Sequence, residues 1–215
     1  MKAPSFQHVR HWVFDLDNTL YPPEARLFDQ IEVRMTGWVA RTLGVDRAEA
    51  DRLRRHYWQT HGTTLAGLMA EHGADPDPYL VDVHEITLDH LSPDPLLARA
   101  IAALPGRRIV FTNGSAPYAA RVLAARGLAE SFHAVYGVEN AGFTPKPQPA
   151  AFERIFAAAK VEPHAAAMFE DDPRNLMVPH AMGLTTVLVA PTQAEGDHIH
   201  HHTTDLAAFL SDLPA

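Results

Sequence analysis

The sequence predicts an α/β fold, a doubly wound parallel sheet with a small helical unit inserted after its first strand. Three observations predict it. Short apolar runs rich in β-branched and aromatic residues recur at 11–14, 108–111, 134–138, 166–169 and 185–189. They are continuous rather than alternating, as strands covered on both faces should be. Segments with helical character fall between the last four runs, at 116–126, 148–159 and 175–182, and strand-helix-strand repetition gives a parallel sheet. The third observation is the interval between the first two runs, which is far too long for a simple crossover.

Taken in order, the first strand is His11-Trp12-Val13-Phe14, with Trp12 read as core packing. The pattern then turns helical from about Pro22 to His90. Ile31, Met35, Trp38, Val39 and Leu43 recur at spacings that mark one apolar helix face. Pro76 and Pro78 are expected to break this pattern, with a further helix over 79–91. The length favours a unit above the sheet over helices that merely cover one sheet face. Pro22-Pro23 and Ser92-Pro93-Asp94-Pro95 are the natural joints. The expected division is therefore a catalytic core of residues 1–22 and 92–215 with a helical cap of residues 23–91. Hinge motion at the two joints is a further expectation.

Composition narrows the function. At 215 residues, with 47% hydrophobic and 20% charged residues, the chain can bury a substantial core and is too apolar for a disordered protein. A net charge of −8 argues against nucleic acid as partner, although local cations or a metal can still draw a small anionic substrate into one pocket. The absence of cysteine excludes disulfides, thiolate catalysis and zinc–thiolate sites. No apolar run reaches the roughly 20 residues of a membrane span. The opening residues 1–7 lack a signal-peptide pattern, so a cytoplasmic protein is expected. The sequence does not give the oligomeric state.

Four clusters carry chemistry, each directly after an apolar strand or in the loop beyond. The first is Asp15-Leu16-Asp17-Asn18-Thr19-Leu20-Tyr21. Two acids so close at a loosening strand end can share one crevice, one ionised to attack and one carrying a proton. A turn or helix-capping role is the plain structural alternative. The second is Phe111-Thr112-Asn113-Gly114-Ser115, where a hydroxyl, an amide and backbone N–H groups at a helix start make an anion cradle. Ser115 before Ala116-Pro117 is equally a good N-cap. The third is Thr144-Pro145-Lys146-Pro147-Gln148-Pro149, in which prolines stiffen the backbone around a cation; a solvated lysine is the alternative. The fourth is Phe169-Glu170-Asp171-Asp172-Pro173-Arg174-Asn175-Leu176. Three adjacent acids call for compensation, which a hard divalent cation with oxygen ligands provides; the helix dipole would account for one or two of them. Their joint placement at strand carboxyl ends, where open α/β sheets form their ligand crevice, is more specific than any one cluster.

In this order, Asp15-Leu16-Asp17-Asn18-Thr19, Thr112-Asn113, Lys146 and Glu170-Asp171 resemble the haloacid dehalogenase-like superfamily of phosphohydrolases, and the helical insertion resembles that superfamily's small cap. The resemblance implies a Rossmann-like sheet with the first strand central. It implies Asp15 as the nucleophile that becomes aspartyl-phosphate, and Asp17 as the acid that protonates the leaving alcohol and then activates water. Thr112 and Asn113 would hold phosphoryl oxygens, and Lys146 would balance charge on nucleophile and phosphate. Magnesium (Mg2+) would sit on Asp15, the Asp17 backbone carbonyl and Asp171, with Glu170 and Asp172 in its outer shell. Asp171-Asp172 is the alternative register for the acidic pair. Asp17 argues against a dehalogenase proper, which has no alcohol to protonate. Asn18 with Leu20-Tyr21-Pro22 resembles the pyrimidine 5′-nucleotidase branch, making UMP or CMP candidate substrates beside other small phosphate monoesters, including sugar phosphates. A phosphomutase and a phosphate-binding regulatory protein are the remaining readings.

Two further features are weighed. The run His198, His200, His201 and His202 is read as a solvated loop rather than a second metal site, with helical spacing resuming before Leu213. Arg52, Arg54, Arg55, His56 and Trp58 either meet the leaving group of the substrate or form a solvated helix face.

Overall fold

A computed structural model describes residues 5–213. The ends of the expected core segments, residues 1–4 and 214–215, lie outside the described residues.

The first strand, β1 (His11–Phe14), is followed by four helices, α1 (Leu27–Leu43), α2 (Arg47–His61), α3 (Thr64–His72) and α4 (Pro76–Val83). Then come α5 (Pro95–Ala103), β2 (Arg107–Phe111), α6 (Ala116–Ala125), β3 (Ala134–Tyr136), α7 (Pro149–Ala159) and β4 (Ala166–Glu170). The chain ends with α8 (Met177–Met182), β5 (Thr185–Val189), β6 (His201–Thr203) and α9 (Leu206–Ser211). All six strands pair in parallel in the order β3-β2-β1-β4-β5-β6. β1 is therefore central, and the strand order reverses beside it, which opens a crevice at the carboxyl ends.

The continuous apolar strands divide between two covered faces by simple alternation. Trp12, Phe14, Val110, Phe169 and Val187 pack on one face with α5, α6 and α9. Val13, Ile109, Phe111, Met168 and Leu188 pack on the other with α7 and α8. Trp12 is core, as expected, and its indole N–H donates to Pro105 O at 2.7 Å. With both sheet faces covered by other helices, α1 to α4 pack chiefly against one another. Their buried side chains join the first core through residues such as Leu20, Tyr21 and Ile86. A single guanidinium gathers both chain crossings between sheet and insertion. Arg126 donates to Leu20 O (3.2 Å), Ser92 O (2.6 Å) and the Asp94 carboxylate (2.7 Å).

Three local expectations are corrected. The helical pattern does stop before Pro76, α3 ending at His72, but Pro76 and Pro78 lie inside the next helix: Pro76 begins α4 behind the Asp75 cap, because a first-turn proline forfeits no intrahelical bond. That helix ends at Val83, so none runs over 79–91. The histidine run is only in part a loop, and it is half-buried: His198 and His200 precede a strand that His201 and His202 enter. His201–Thr203 forms the edge strand β6, and the His200 ring nitrogen Nδ1 lies 2.9 Å from Thr186 Oγ1. Helix α5, which no expectation covered, is started by Asp94 and Pro95 in the second joint. No helix among the described residues is long and apolar enough to cross a membrane.

Candidate active site

The backbone turns sharply where β1 ends. Asp15 N–H still donates to Phe169 O (2.9 Å), extending the ladder to β4 by one residue. Leu16 O then accepts from Thr19 and Leu20, and Asn18 takes the left-handed conformation (φ 59°) that asparagine tolerates better than most residues. This turn brings Asp15 and Asp17 to the same crevice. They line a cavity of about 460 Å³ together with Asn113, Lys146, Glu170 and Asp171. The insertion supplies the opposite wall, including Ile31, Met35, Leu65 and Leu80.

Lys146 is the pivot of the floor. It is buried, and its ammonium donates to Asp15 Oδ1 (2.6 Å), Glu170 Oε2 (2.6 Å) and Phe111 O (3.0 Å). An ammonium has three protons, and three acceptors use them all. Its backbone is clasped as well. The Asn113 side-chain oxygen accepts from Lys146 N–H (2.8 Å), and its amide nitrogen donates to Lys146 O (3.1 Å). The Asn113 amide, expected on a phosphoryl oxygen, is thus committed to the lysine. Thr112 is fully buried, its hydroxyl accepting from Gly114 N–H (2.9 Å) and retaining its own proton.

The acids are differentiated by their partners. Asp17 Oδ1 accepts from Tyr21 Oη (2.6 Å) and Tyr118 Oη (2.8 Å). Asp171 Oδ2 accepts from the Asn18 amide (3.2 Å). Glu170 has both oxygens engaged, one by Lys146 and the other by Asp172 N–H (3.2 Å). Asp172 caps the short turn that follows and is held by Arg174 (2.6 Å), whose guanidinium lies 4.0 Å from the Trp58 ring centre in α2. Asp172 therefore faces an arginine rather than the other acids. Of the residues weighed in the insertion, Arg54, Arg55 and Trp58 reach the cavity, with Arg54 already paired to Glu32 and Asp51. Arg52 instead pairs with Glu49.

Burial dominates the electrostatics. It pushes the Asp15 carboxyl up to about 8, assisted by Glu170 and resisted by Lys146. It likewise pushes Asp171 up to about 9, with Glu170 and Asp15 adding to the shift. Asp17 is raised by the same desolvation, against the two tyrosine hydrogen bonds. For Lys146, burial pulls down, but the Asp15 and Glu170 carboxylates outweigh it and the net shift is upward. Oxygen atoms of Asp15, Glu170 and Asp171 lie within 4.8 Å of one another. Clustered hard oxygens, with the Asp15 and Asp171 carboxyls raised by burial, fit a divalent cation such as magnesium.

Sequence reasoning missed Tyr118 and His84. The Tyr118 ring stacks on His84 (centroids 4.3 Å apart, planes 8° apart), and His84 Nδ1 lies 3.1 Å from Ser115 Oγ. Tyr21 stood inside the first motif, but nothing local shows that Tyr118, 101 positions beyond Asp17, shares its target.

A family model described as haloacid dehalogenase-like hydrolase matches residues 9–183. "Phosphate metabolism protein 8" of Saccharomyces cerevisiae is 27% identical over 223 residues, covering 93% of this chain and 69% of that protein. Among solved structures, a HAD phosphatase from Thermococcus onnurineus superposes with TM-score 0.63 at 17% identity, covering 94% of this chain and 97% of that one. An L-2-haloacid dehalogenase from Xanthobacter autotrophicus gives 0.59 at 16%, with the same coverage. At such identities the two structures show a shared fold.

Proposed function

This chain belongs to the haloacid dehalogenase-like hydrolases, and we propose that within them it is a magnesium-dependent phosphatase of small phosphate monoesters. The observation that carries this reading is the second acid. Asp17 lines the cavity beside Asp15, as a leaving alcohol would require and a halide would not. The phosphatase named among the similar folds and the yeast phosphate metabolism protein support the same reading.

In the proposed reaction the Asp15 carboxylate attacks phosphorus, forming an aspartyl-phosphate as the ester P–O bond breaks. The departing oxygen takes its proton from Asp17. Asp17 then takes a proton from water, whose oxygen attacks phosphorus, releasing inorganic phosphate and restoring Asp15. Such proton transfers contribute roughly 10²–10⁴-fold. Lys146 holds Asp15 and opposes the pull of burial towards its neutral form; with all three of its protons engaged, it acts on the nucleophile before it acts on phosphate. The Thr112 hydroxyl proton and the Asn113 backbone are the proposed phosphoryl contacts. Asp15, Asp171 and the Asp17 carbonyl would hold the cation, and Glu170, both oxygens already engaged, would stand behind them. The bound cation supplies positive charge that keeps these acids ionised and offsets the phosphoryl oxygens. Residues 23–91 act as the cap in this reading, and pyrimidine nucleoside monophosphates lead the candidate substrates because of the Asn18 to Pro22 stretch.

Phosphate release from nucleotides, sugar phosphates and other monoesters, with and without magnesium, tests the proposal. Release that requires magnesium and disappears in Asp15→Asn is expected. Release that survives Asp15→Asn would overturn it.

A further inference from the structure

We propose that Tyr21 and Tyr118 are positioning residues that turn the Asp17 carboxylate so that Oδ2, not Oδ1, exchanges the reaction's proton. This rests on the reading of Asp17 as acid and base.

Both hydroxyls donate to the same oxygen, Oδ1, at 2.6 and 2.8 Å, and lie 3.5 Å from each other. Among the described residues no hydrogen bond engages Oδ2, and Asp17 lines the cavity with Asp15. The terminal torsion of an aspartate is broad, so the carboxylate would otherwise swing over a wide arc. Two donors from different elements remove that freedom: Tyr21 follows the β1 turn, and Tyr118 lies in the first turn of α6. Each ring is only 1% exposed, so neither can swing away without opening the core.

The second grip is itself braced. Ser115 caps α6 by accepting from Tyr118 N–H (3.4 Å), and the same hydroxyl meets His84 Nδ1 (3.1 Å) while the His84 ring lies flat on Tyr118. Arg121, one turn along α6, donates to His84 O (3.1 Å) and Ile86 O (2.9 Å). Tyr118 thus stands between α6 and the end of the insertion with its hydroxyl aimed at one carboxylate oxygen. A buried phenol needs one partner, and other acceptors could have served. Two phenols converging on one atom define a direction. Misorientation of a reacting group can cost on the order of 100-fold even at small displacements.

The test is kinetic, with Tyr21→Phe, Tyr118→Phe and the double variant of the full chain, magnesium present. The readout is kcat/KM for 4-nitrophenyl phosphate, whose leaving group departs without a proton, against an alkyl phosphate, whose leaving group needs one. The double variant should lose about tenfold or more on the alkyl ester and about threefold or less on the nitrophenyl ester. It should also show a burst of nitrophenol, because the water-activating half of the cycle slows. Equal losses on both esters, or no loss, would overturn the proposal. Asp17→Asn run alongside separates the two levels of the argument. If Asp17→Asn discriminates between the esters and the tyrosine variants do not, positioning alone is wrong. If the wild type releases no phosphate from either ester, the phosphatase reading falls and the proposal with it. Should the double variant fail to fold, each single variant must show the same ordering of substrates.

Discussion

Free of any bound cation, the protein should become less stable as pH rises, over a window where most proteins change little. Asp15 is raised from 3.8 to about 8 and Asp171 to about 9, both chiefly by burial. A carboxyl whose folded value is raised contributes stability that is complete below its unfolded value and is lost as pH climbs through the folded one. The native metal-free protein therefore holds a proton that the unfolded chain releases, and each pH unit costs about 1.4 kcal/mol. His84 has the opposite sense, lowered from 6.5 to about 4, so its influence ends at 6.5. Between pH 6.5 and 8 the acids act without it. One retained proton over 1.5 units gives a loss of about 2 kcal/mol. For a chain of this size that corresponds to roughly 4–8 °C in Tm. Asp15 and Asp171 titrate as one system, so a single proton is the lower bound. Thermal and urea unfolding in EDTA would measure the loss. With saturating magnesium the slope should fall, because the cation-bound Asp15 and Asp171 carboxylates carry no proton to lose, while Asp17 keeps its share. Stability that is flat in EDTA from pH 6.5 to 8, or that falls equally with magnesium, would refute the account of the acidic cluster.

Three other perturbations have expected outcomes. His84→Phe keeps a ring against Tyr118 but cannot take a proton. Wild type should lose about 3 kcal/mol relative to this variant as pH falls from 6.5 to 4.5, since a lowered histidine stabilises above its unfolded value, and urea midpoints at the two pH values give the difference. Lys146→Met strips the cation from two buried carboxylates and should cost about 3–5 kcal/mol in urea unfolding at pH 8 in EDTA; a loss below about 1 kcal/mol would mean that the ion pairs hold little. Gly67→Ala places a methyl 2.4 Å from the Tyr57 side chain where α3 meets α2. Overpacking of about 1–3 kcal/mol should exceed the roughly 1 kcal/mol gained in helix propensity, so a raised Tm would contradict that packing.

What the sequence disclosed follows from how local each signal is. Strands β1, β2, β4 and β5 could be read because burial on both faces makes most of each one apolar, and the edge strand β3 because Ala134, Val135 and Tyr136 are apolar or aromatic although only partly buried. β6 could not, because His201, His202 and Thr203 are polar and carry no apolar run at the half-buried sheet edge. The prolines of α4 and α5 read as punctuation, whereas a proline placed behind an aspartate cap starts a helix. Each cluster of acids announced itself at a strand end. Their partners did not, since Asn113 meets Lys146 across 33 positions and Tyr118 meets Asp17 across 101. Pairings at such distances are products of the strand order and leave no periodic trace.

Near and far partners together give five chemically similar acids five different situations. Asp15 is tied to an ammonium, Asp17 to two phenols, Asp171 to an amide, Asp172 to a guanidinium, and Glu170 to an ammonium and a backbone N–H. An ammonium favours the charged form of a carboxylate against the pull of burial, which suits an attacking group. Phenols fix its direction while leaving proton exchange open, which suits an acid that must later become a base. An amide on one oxygen leaves the rest of the carboxylate to a cation. A guanidinium that also covers Trp58 holds the Asp172 carboxylate at the side of the cavity next to the insertion. Substituting acids for one another would disturb little of the composition or net charge. Exchanging their partners would dissolve the proposed distinction between nucleophile, proton carrier and metal ligand, because nothing in a carboxylate itself chooses among these roles.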